Sequence, residues 1–442
     1  AISVGQGTTS SPVTVSVAAR NQFTGSVSVA IAGLLEGTHS SPASPFLVAA
    51  GTSQEVTFSV SGVVTAGSHD VRVKGTSGSL SHTASLSFTV TETPVVVRTY
   101  QEGSLLVLES VVGNETARVA LESLWGGTVV EASLNGINVV NRYDTGREVQ
   151  VALYDGNEQY DACAGCTGVF GWDPVQGGDR YSHGSPLLEQ TLGADSIYIK
   201  TQPYQWYPDD KGGGPGQPVL TDTYFEQTLS PVPNHAWAFN LHYRITHFGD
   251  DQHANSGQEF PAVYVNLGFD RFIYYAGATP WTHAPVSATT MPSLPEYSPI
   301  LYTSELWGAL VDAQDFGLTV YVPGQYPYAF GFSAPGDPGP SGFGTIYFHP
   351  FTPFTLGPGT VFEGDIYLVV GDYKLARRVV YDLHSRLPAQ DIFTPFGWTD
   401  APAADSELTD VVDVAGWTFD DGTVESVQVL VDRTVAGTAT YG

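Results

Sequence analysis

The chain has 442 residues, of which 42% are hydrophobic and only 14% charged, a balance that excludes a disordered polypeptide. A formal net charge of −28, with 17 Lys and Arg in all, excludes a general nucleic-acid binder, which needs basic patches. No apolar run approaches the roughly 20 residues of a membrane span, and no basic segment leads into an apolar one at the start, so neither a membrane span nor a signal peptide is expected. Abundant Gly (49) and Pro (29), with long segments rich in Thr, Ser and Val, point to many short strands and turns, an all-β chain.

Residues 1–95 contain VTVSVAA, GSVSVAIAG, QEVTFSVSG, HDVRVKGTS and TASLSFTVT, in which apolar residues alternate with small polar ones between Gly, Ser and Pro turns. That pattern predicts a β-sandwich, and no catalytic constellation lies within it. The stretches NQFTGSVSVAIAGL and AGSHDVRVKGTSGSLSHTASLSFTVT resemble bacterial Ig-like domains that accompany secreted enzymes and surface proteins. The resemblance implies an Ig-like module and an extracellular or cell-surface location. Such domains usually carry one more strand before the equivalent of ISVGQGTTS.

Residues 96–388 hold six of the eight Trp, eight of the eleven His and both Cys. Long strand-like runs dominate: SLLVLESVVG, ARVALES, GTVVEASLNG, AWAFNLHYRITHF, AVYVNLGF, FGLTVYVP and FEGDIYLVVG. One helix is expected, over 373–387, with Asp372 as its cap and Leu375, Val379, Leu383 and Leu387 forming one stripe; Pro388 ends it. The whole predicts a large sandwich. The stretch LESVVGNETARVALESLWGGTVVEASLNGINVVNRYDTGREVQVALYDG, with bends at Gly126-Gly127 and Asn135-Gly136, resembles the opening of galactose-mutarotase-like super-sandwich domains of carbohydrate-active proteins. SELWGALVDAQDFGLTVYVP is similar to a hairpin recurrent in secreted glycan-processing β-proteins. These resemblances imply a super-sandwich and a carbohydrate-related role, while no catalytic motif of a family matches residue by residue.

Four groups of residues could carry chemistry. The stretch DACAGCTGVFGWDPVQGGDRYSHGSP brings Cys163 and Cys166 together with Trp172 and with His183, which follows Asp179 and Tyr181. The CxxC spacing suits a local disulfide or half of a zinc site, and no second Cys pair exists to complete the latter. His183 could act as acid or base, oriented by a carboxylate, or be a loop histidine bonded to local backbone. On the strand AFNLHYRITHF, alternation puts Leu241, Tyr243 and Ile245 on one face and His242, Arg244 and Thr246 on the other. His242 and Arg244 could grip an anionic or hydroxyl-rich ligand, with Tyr243 among its contacts and His242 as a further catalytic candidate. The next turn, GDDQHANSGQEF, presents Asp250, Asp251, His253, Gln258 and Glu259, of which Glu259 is the carboxylate to test first; the plainer alternative is a solvated turn and an edge strand.

Aromatic clusters include Trp206 and Tyr207 in QPYQWYPDD, Trp281 in FIYYAGATPW and Tyr326 in PGQYPYAF. They suit stacking on sugar rings, or equally the packing of wide sandwiches. Glu226, Glu259, Asp312 and Asp365 could supply the carboxylate pair of a glycosidase. No HExxH or GxSxG motif occurs.

Residues 389–442 hold ten acids and one base, a bias that serves solubility and could also hold Ca²⁺ through oxygen ligands. FGWTDAPAADSELTDVVDVAGWTFDDGTVESVQVLVDRTVAGTATYG resembles the first half of another bacterial Ig-like domain. Both ends therefore read as cut inside domains, or as open edges completed by strands of a neighbouring subunit. The expectation is an all-β chain of three parts: a central super-sandwich flanked by two Ig-like modules, with one late helix. Its central domain would bind, and as an enzyme cleave, a polysaccharide or cell-surface glycan. The alternative is a structural subunit of an extracellular filament or surface layer, self-associating through its incomplete ends.

Overall fold

The computed structural model describes residues 1–155, 159–160, 169–170, 172–293, 300–335, 344–386, 396–402, 412–419, 426–431 and 434–440. Cys163 and Cys166 lie outside the described residues. The chain divides into two compact units, Ala1–Asp382 and Leu383–Gly442. It is all-β, and Tyr373–Arg386 is the one α-helix among the described residues.

The alternating runs at the start form two sheets. One is ordered Ile2–Gly5, Leu80–Thr91, Gly67–Ser77, Ser26–Ala32 and Phe46–Ala49, its first pair parallel. The other gathers Thr8–Thr9, Val13–Ser16 and Thr38–Ser41 around Ser53–Val60. Along that last strand Val56, Phe58 and Val60 are buried, every second residue, and they meet Val4, Val71, Phe88 and Val90 of the facing sheet.

The following strands build a twelve-stranded and a nine-stranded sheet. The main path of the first runs Val95–Glu102, Leu105–Val112, Glu115–Glu122, Thr128–Leu134, Val149–Ala152, His253–Val265, Thr345–Leu356, Tyr328–Ala334 and Leu301–Tyr302. The second runs Leu187–Leu192, Ile197–Thr201, Thr223–Val232, His235–His247, Val361–Asp372, Phe316–Tyr321, Trp307–Val311, Arg271–Tyr274 and Ser287–Thr290. One face of each sheet supplies a shared core, with Val149, Val151, Phe260, Val263 and Phe348 from the first and Phe225, Leu241, Ile245, Leu318 and Ile366 from the second. The other face of each points outward, and the outer face of the twelve-stranded sheet carries the main functional candidate.

The two bends read from the sequence are present. Gly126 and Gly127 have φ of 58° and 72°, and a Cβ at either would come within 2.0 Å of the Gln176 carbonyl or 1.8 Å of Ile199, so only glycine fits there. Asn135 and Gly136, at φ 53° and 83°, link Thr128–Leu134 to Ile137–Asn138 as a tight hairpin in which both central residues are left-handed.

The helix starts where Asp372 Oδ1 accepts the Lys374 N–H at 2.8 Å. It buries Leu375, Val379 and Leu383. Its polar side is tied down as well. Arg377 donates to both oxygens of the fully buried Glu305, at 3.1 and 2.9 Å, and the Tyr381 hydroxyl adds a bond of 2.5 Å. Burial alone would push the Glu305 carboxyl up, but the bonds from Arg377, Tyr381 and Trp307 hold it below the ordinary range. Burial and the bond to Glu305 push Tyr381 up to about 12.

Candidate functional site

Strand alternation builds a cleft on the outer face of the twelve-stranded sheet. Val149, Val151 and Leu153 point into the core, which turns Gln150, Ala152 and Tyr154 outward. Ala152 lies opposite Glu259 on the neighbouring strand, and Glu259 opposite Phe351 on the next. The same parity puts Tyr264, Tyr347 and His349 on this face, since Val263, Val265 and Phe348 are in the core. The result is a cleft of about 250 Å³ lined by Gly146, Gln150, Ala152, Tyr154, Asp173, Val175, Trp206, Tyr207, Glu259 and Tyr264.

Glu259 is half-buried in this cleft, and the Tyr347 hydroxyl donates to its Oε1 at 2.6 Å. Tyr347 stacks obliquely on Tyr264, with ring centroids 4.6 Å apart. Burial pushes the phenols of Tyr154, Tyr264 and Tyr347 well up, and the Glu259 carboxyl adds to the effect on each. All three therefore remain protonated hydrogen-bond donors through the physiological range. His349 is buried on the same face, and its Nδ1 lies 3.1 Å from the Pro350 carbonyl. Burial lowers its imidazole, opposed by Glu259 and that carbonyl.

The aromatic wall is held in place. The Trp206 backbone N–H donates to Asp173 Oδ1 at 3.1 Å. The Trp206 ring lies against Gly146, where a Cβ would come within 2.3 Å of it. The Arg180 guanidinium sits 4.9 Å from the centre of the Tyr207 ring. Two residues before Gln150, Glu148 is fully buried, and neither of its carboxyl oxygens makes a hydrogen bond. Burial, and then Asp144 and Glu122, push it well above the ordinary carboxyl range.

Of the residues singled out from sequence, Glu259, Trp206 and Tyr207 meet in this cleft; the others lie elsewhere. His183 pairs through Nδ1 with Asp179 Oδ2 at 2.7 Å, and the fully buried Asp179 also accepts the N–H groups of Tyr181 and His183. This loop braces the wall rather than lining it: the Arg180 N–H donates to the Trp206 carbonyl, and the Tyr181 hydroxyl to Asp209.

His242 and Arg244 lie on the outer face of the nine-stranded sheet, with the core between them and the cleft. His242 Nδ1 is 3.0 Å from Asp365, while Arg244 reaches Glu226 and Glu363 at 3.0 and 3.2 Å. Tyr243, expected among ligand contacts, is a core residue at 1% exposure, and its hydroxyl donates to Gln176. Trp281 packs edge-on against Tyr381 of the helix, at 5.3 Å, and its backbone N–H donates to Glu305. The Tyr326 N–H donates to the Phe351 carbonyl, beyond the residues that line the cleft.

A second constellation escaped the sequence reading. Asp222, His247, Asp251 and His253 converge at one end of the sandwich, where the nine-stranded sheet hands over to the twelve-stranded one. Among the described residues it is the group able to hold a metal ion. Asp251 and His253 stood out as part of an acid-rich turn. Their partners come from strands that only sheet pairing brings alongside.

No protein-family model matches the chain, and no curated protein does either. Solved structures do match. One is a candidate mutarotase (YeaD) from Salmonella typhimurium, 11% identical, with a TM-score of 0.32 over 63% of this chain and 97% of that one. Another is HI1317, 10% identical, with a TM-score of 0.28 over 63% of this chain and 99% of that one. Likeness at this level carries no argument about what this chain does.

Proposed function

We propose that the chain binds a neutral polysaccharide, outside the cell or at its surface, in the cleft around Glu259, and that Glu259 exchanges a proton with the bound sugar. The observation that carries the reading is the cleft itself: Trp206 and Tyr207 flank a carboxyl oriented by a phenol. Sugar C–H faces stack on such rings, while hydroxyls pair with carboxyls, phenols and the Gln150 amide. Glu259 and Asp173 give the cleft two carboxyl groups, and both act on Tyr154. A pair of carboxyls is what most glycoside-cleaving sites require. Tyr347 would orient Glu259. His349 stands beside the pair as a second proton carrier, its imidazole kept unprotonated by burial.

Charge selects among glycans. The cleft lining contains two carboxyls and no Lys or Arg, in a chain of net charge −28. An acidic polysaccharide would be repelled on approach, whereas a neutral one would not.

The test is a panel of neutral and acidic polysaccharides, with binding measured by affinity electrophoresis and products by chromatography. Binding confined to neutral members is expected. Glu259→Gln should lower turnover at least about 100-fold while leaving affinity within about tenfold. Failure of every neutral polysaccharide to bind would sink the reading.

A further inference from the structure

We propose that Asp222, His247, Asp251 and His253 form a site for one divalent transition-metal ion of the zinc class, which ties the two large sheets together. The inference does not rest on the glycan reading.

The carriers come from three places. Asp222 immediately precedes Thr223–Val232, and His247 ends His235–His247, both in the nine-stranded sheet. His253 opens His253–Val265 in the twelve-stranded sheet, and Asp251 sits in the turn between the two histidines. One ligating atom from each lies within 4.8 Å of all the others.

The far nitrogens fix how the near ones are used. His247 Nδ1 lies 2.9 Å from the Gly357 carbonyl, which can only accept. An imidazole with one proton must therefore carry it on Nδ1, leaving a lone pair on Nε2. That lone pair faces Asp222 Oδ2 at 3.2 Å and Asp251 Oδ1 at 3.5 Å. His253 repeats the arrangement: Nδ1 points to Asp155 Oδ2 at 3.1 Å, and Nε2 lies 3.7 Å from Asp251 Oδ1. His253 Nε2 is buried and makes no hydrogen bond. Two nitrogen lone pairs and two carboxylate oxygens thus converge on one point, an arrangement that a cation resolves. Two doubly protonated rings would set like charges side by side, with centroids 4.7 Å apart.

The spacing fits the ion. Ligands at zinc's usual 2.0–2.2 Å for nitrogen and oxygen stand about 3.3–3.6 Å apart at the corners of a tetrahedron. Three of the six separations, 3.2, 3.5 and 3.7 Å, bracket that value, and all six lie within 4.8 Å, a spread that closing onto the ion would narrow. Paired imidazoles select a transition metal over Ca²⁺ or Mg²⁺, which take oxygen shells. The outer shell is that of a held site, since each histidine donates its other nitrogen to a carbonyl or a carboxylate. Trp172 adds to it, donating to Asp222 Oδ1 at 2.8 Å and stacking on His253 with centroids 3.6 Å apart. With His247 and His253 almost fully buried and four protein ligands in place, the site is structural rather than open to substrate.

The test uses the full chain, stripped with a chelator and titrated in parallel with ZnCl2, CaCl2 and MgCl2. Bound metal is counted by plasma mass spectrometry, and Co²⁺ loading is followed by visible absorption. One zinc per chain is expected, with tetrahedral Co²⁺ bands and a rise in Tm that CaCl2 and MgCl2 do not produce. Asp251→Asn and His253→Gln should each weaken uptake at least about tenfold. The Asp251 side chain is 60% exposed, so the first variant folds even where the second does not. A Cys163→Ser/Cys166→Ser double variant should bind as the parent does. Less than one zinc per chain, preference for CaCl2, undiminished uptake by Asp251→Asn, or uptake lost with the cysteines would each overturn the proposal.

Discussion

At the scale of single residues, chemistry follows from which face of a strand a side chain occupies. Glu148 shows the cost of the wrong side of the water line. It shares the parity of Gln150 and Tyr154 but is fully buried, with no bond to either oxygen. Its folded-state value is raised above the ordinary 4.5, so the stability linked to it is fully present below that pH and is lost as pH rises toward the folded value. Glu148→Gln is expected to raise stability by about 1–3 kcal/mol at pH 8 and by much less at pH 4.5, measured by urea unfolding. An effect of the same size at both pH values, or a loss of stability at pH 8, would contradict this account of Glu148. The sequence pointed to Glu259 because it is a carboxyl ahead of a buried strand, and the cleft contains it. Glu148 escaped notice because REVQVAL reads as an ordinary strand start, and its burial involves residues distant in sequence, such as Gly177 beside its Oε2. Tyr243 was placed on the correct face from alternation, next to Leu241 and Ile245, and that placement is what puts it in the core.

At the scale of elements, local patterns were legible and partnerships were not. The hairpin glycines, the strand alternation, and the helix with its Asp372 cap and apolar stripe follow from periods and turn chemistry within a few residues. The polar side of the helix is different. Arg377 and Tyr381 find Glu305 some seventy residues earlier in the chain, and no spacing encodes that. Glu305→Gln should cost about 3 kcal/mol at pH 7, because it leaves the Arg377 charge half-matched in a buried place. The Glu305 carboxyl is held below the ordinary 4.5, so its contribution is present above that pH and is lost as pH falls through the folded value. Acid unfolding followed by circular dichroism should show the parent losing more stability below pH 4.5 than the variant; parallel acid curves would refute the tether. The Asp222–His247–Asp251–His253 cluster has the same character, because its members lie on strands of two sheets whose pairing had to be seen.

At the scale of the molecule, the first sandwich and the large one are joined through a few specific bonds. Glu115 Oε2 accepts the Gly62 N–H at 2.7 Å and the Trp237 indole N–H at 3.1 Å, and the Asn114 N–H donates to the Gly7 carbonyl. A Cβ on Gly62 would come within 2.1 Å of Val112, so the two surfaces touch closely there. Glu115→Ala leaves two donors without their partner, at about 2 kcal/mol, and calorimetry is expected to show the first sandwich melting as a separate, earlier transition. A single transition at the parent's temperature would mean the joint contributes nothing. The all-β architecture was readable from composition and strand periodicity, whereas the cleft arises only where the outer face of one sheet meets the Trp206 wall. The most direct measurement of the central claim is a calorimetric titration of one neutral oligosaccharide into the parent chain and into Trp206→Ala. Saturable binding by the parent, weakened about tenfold in a variant of unchanged Tm, is the expected result. Equal affinity for the two chains would contradict it.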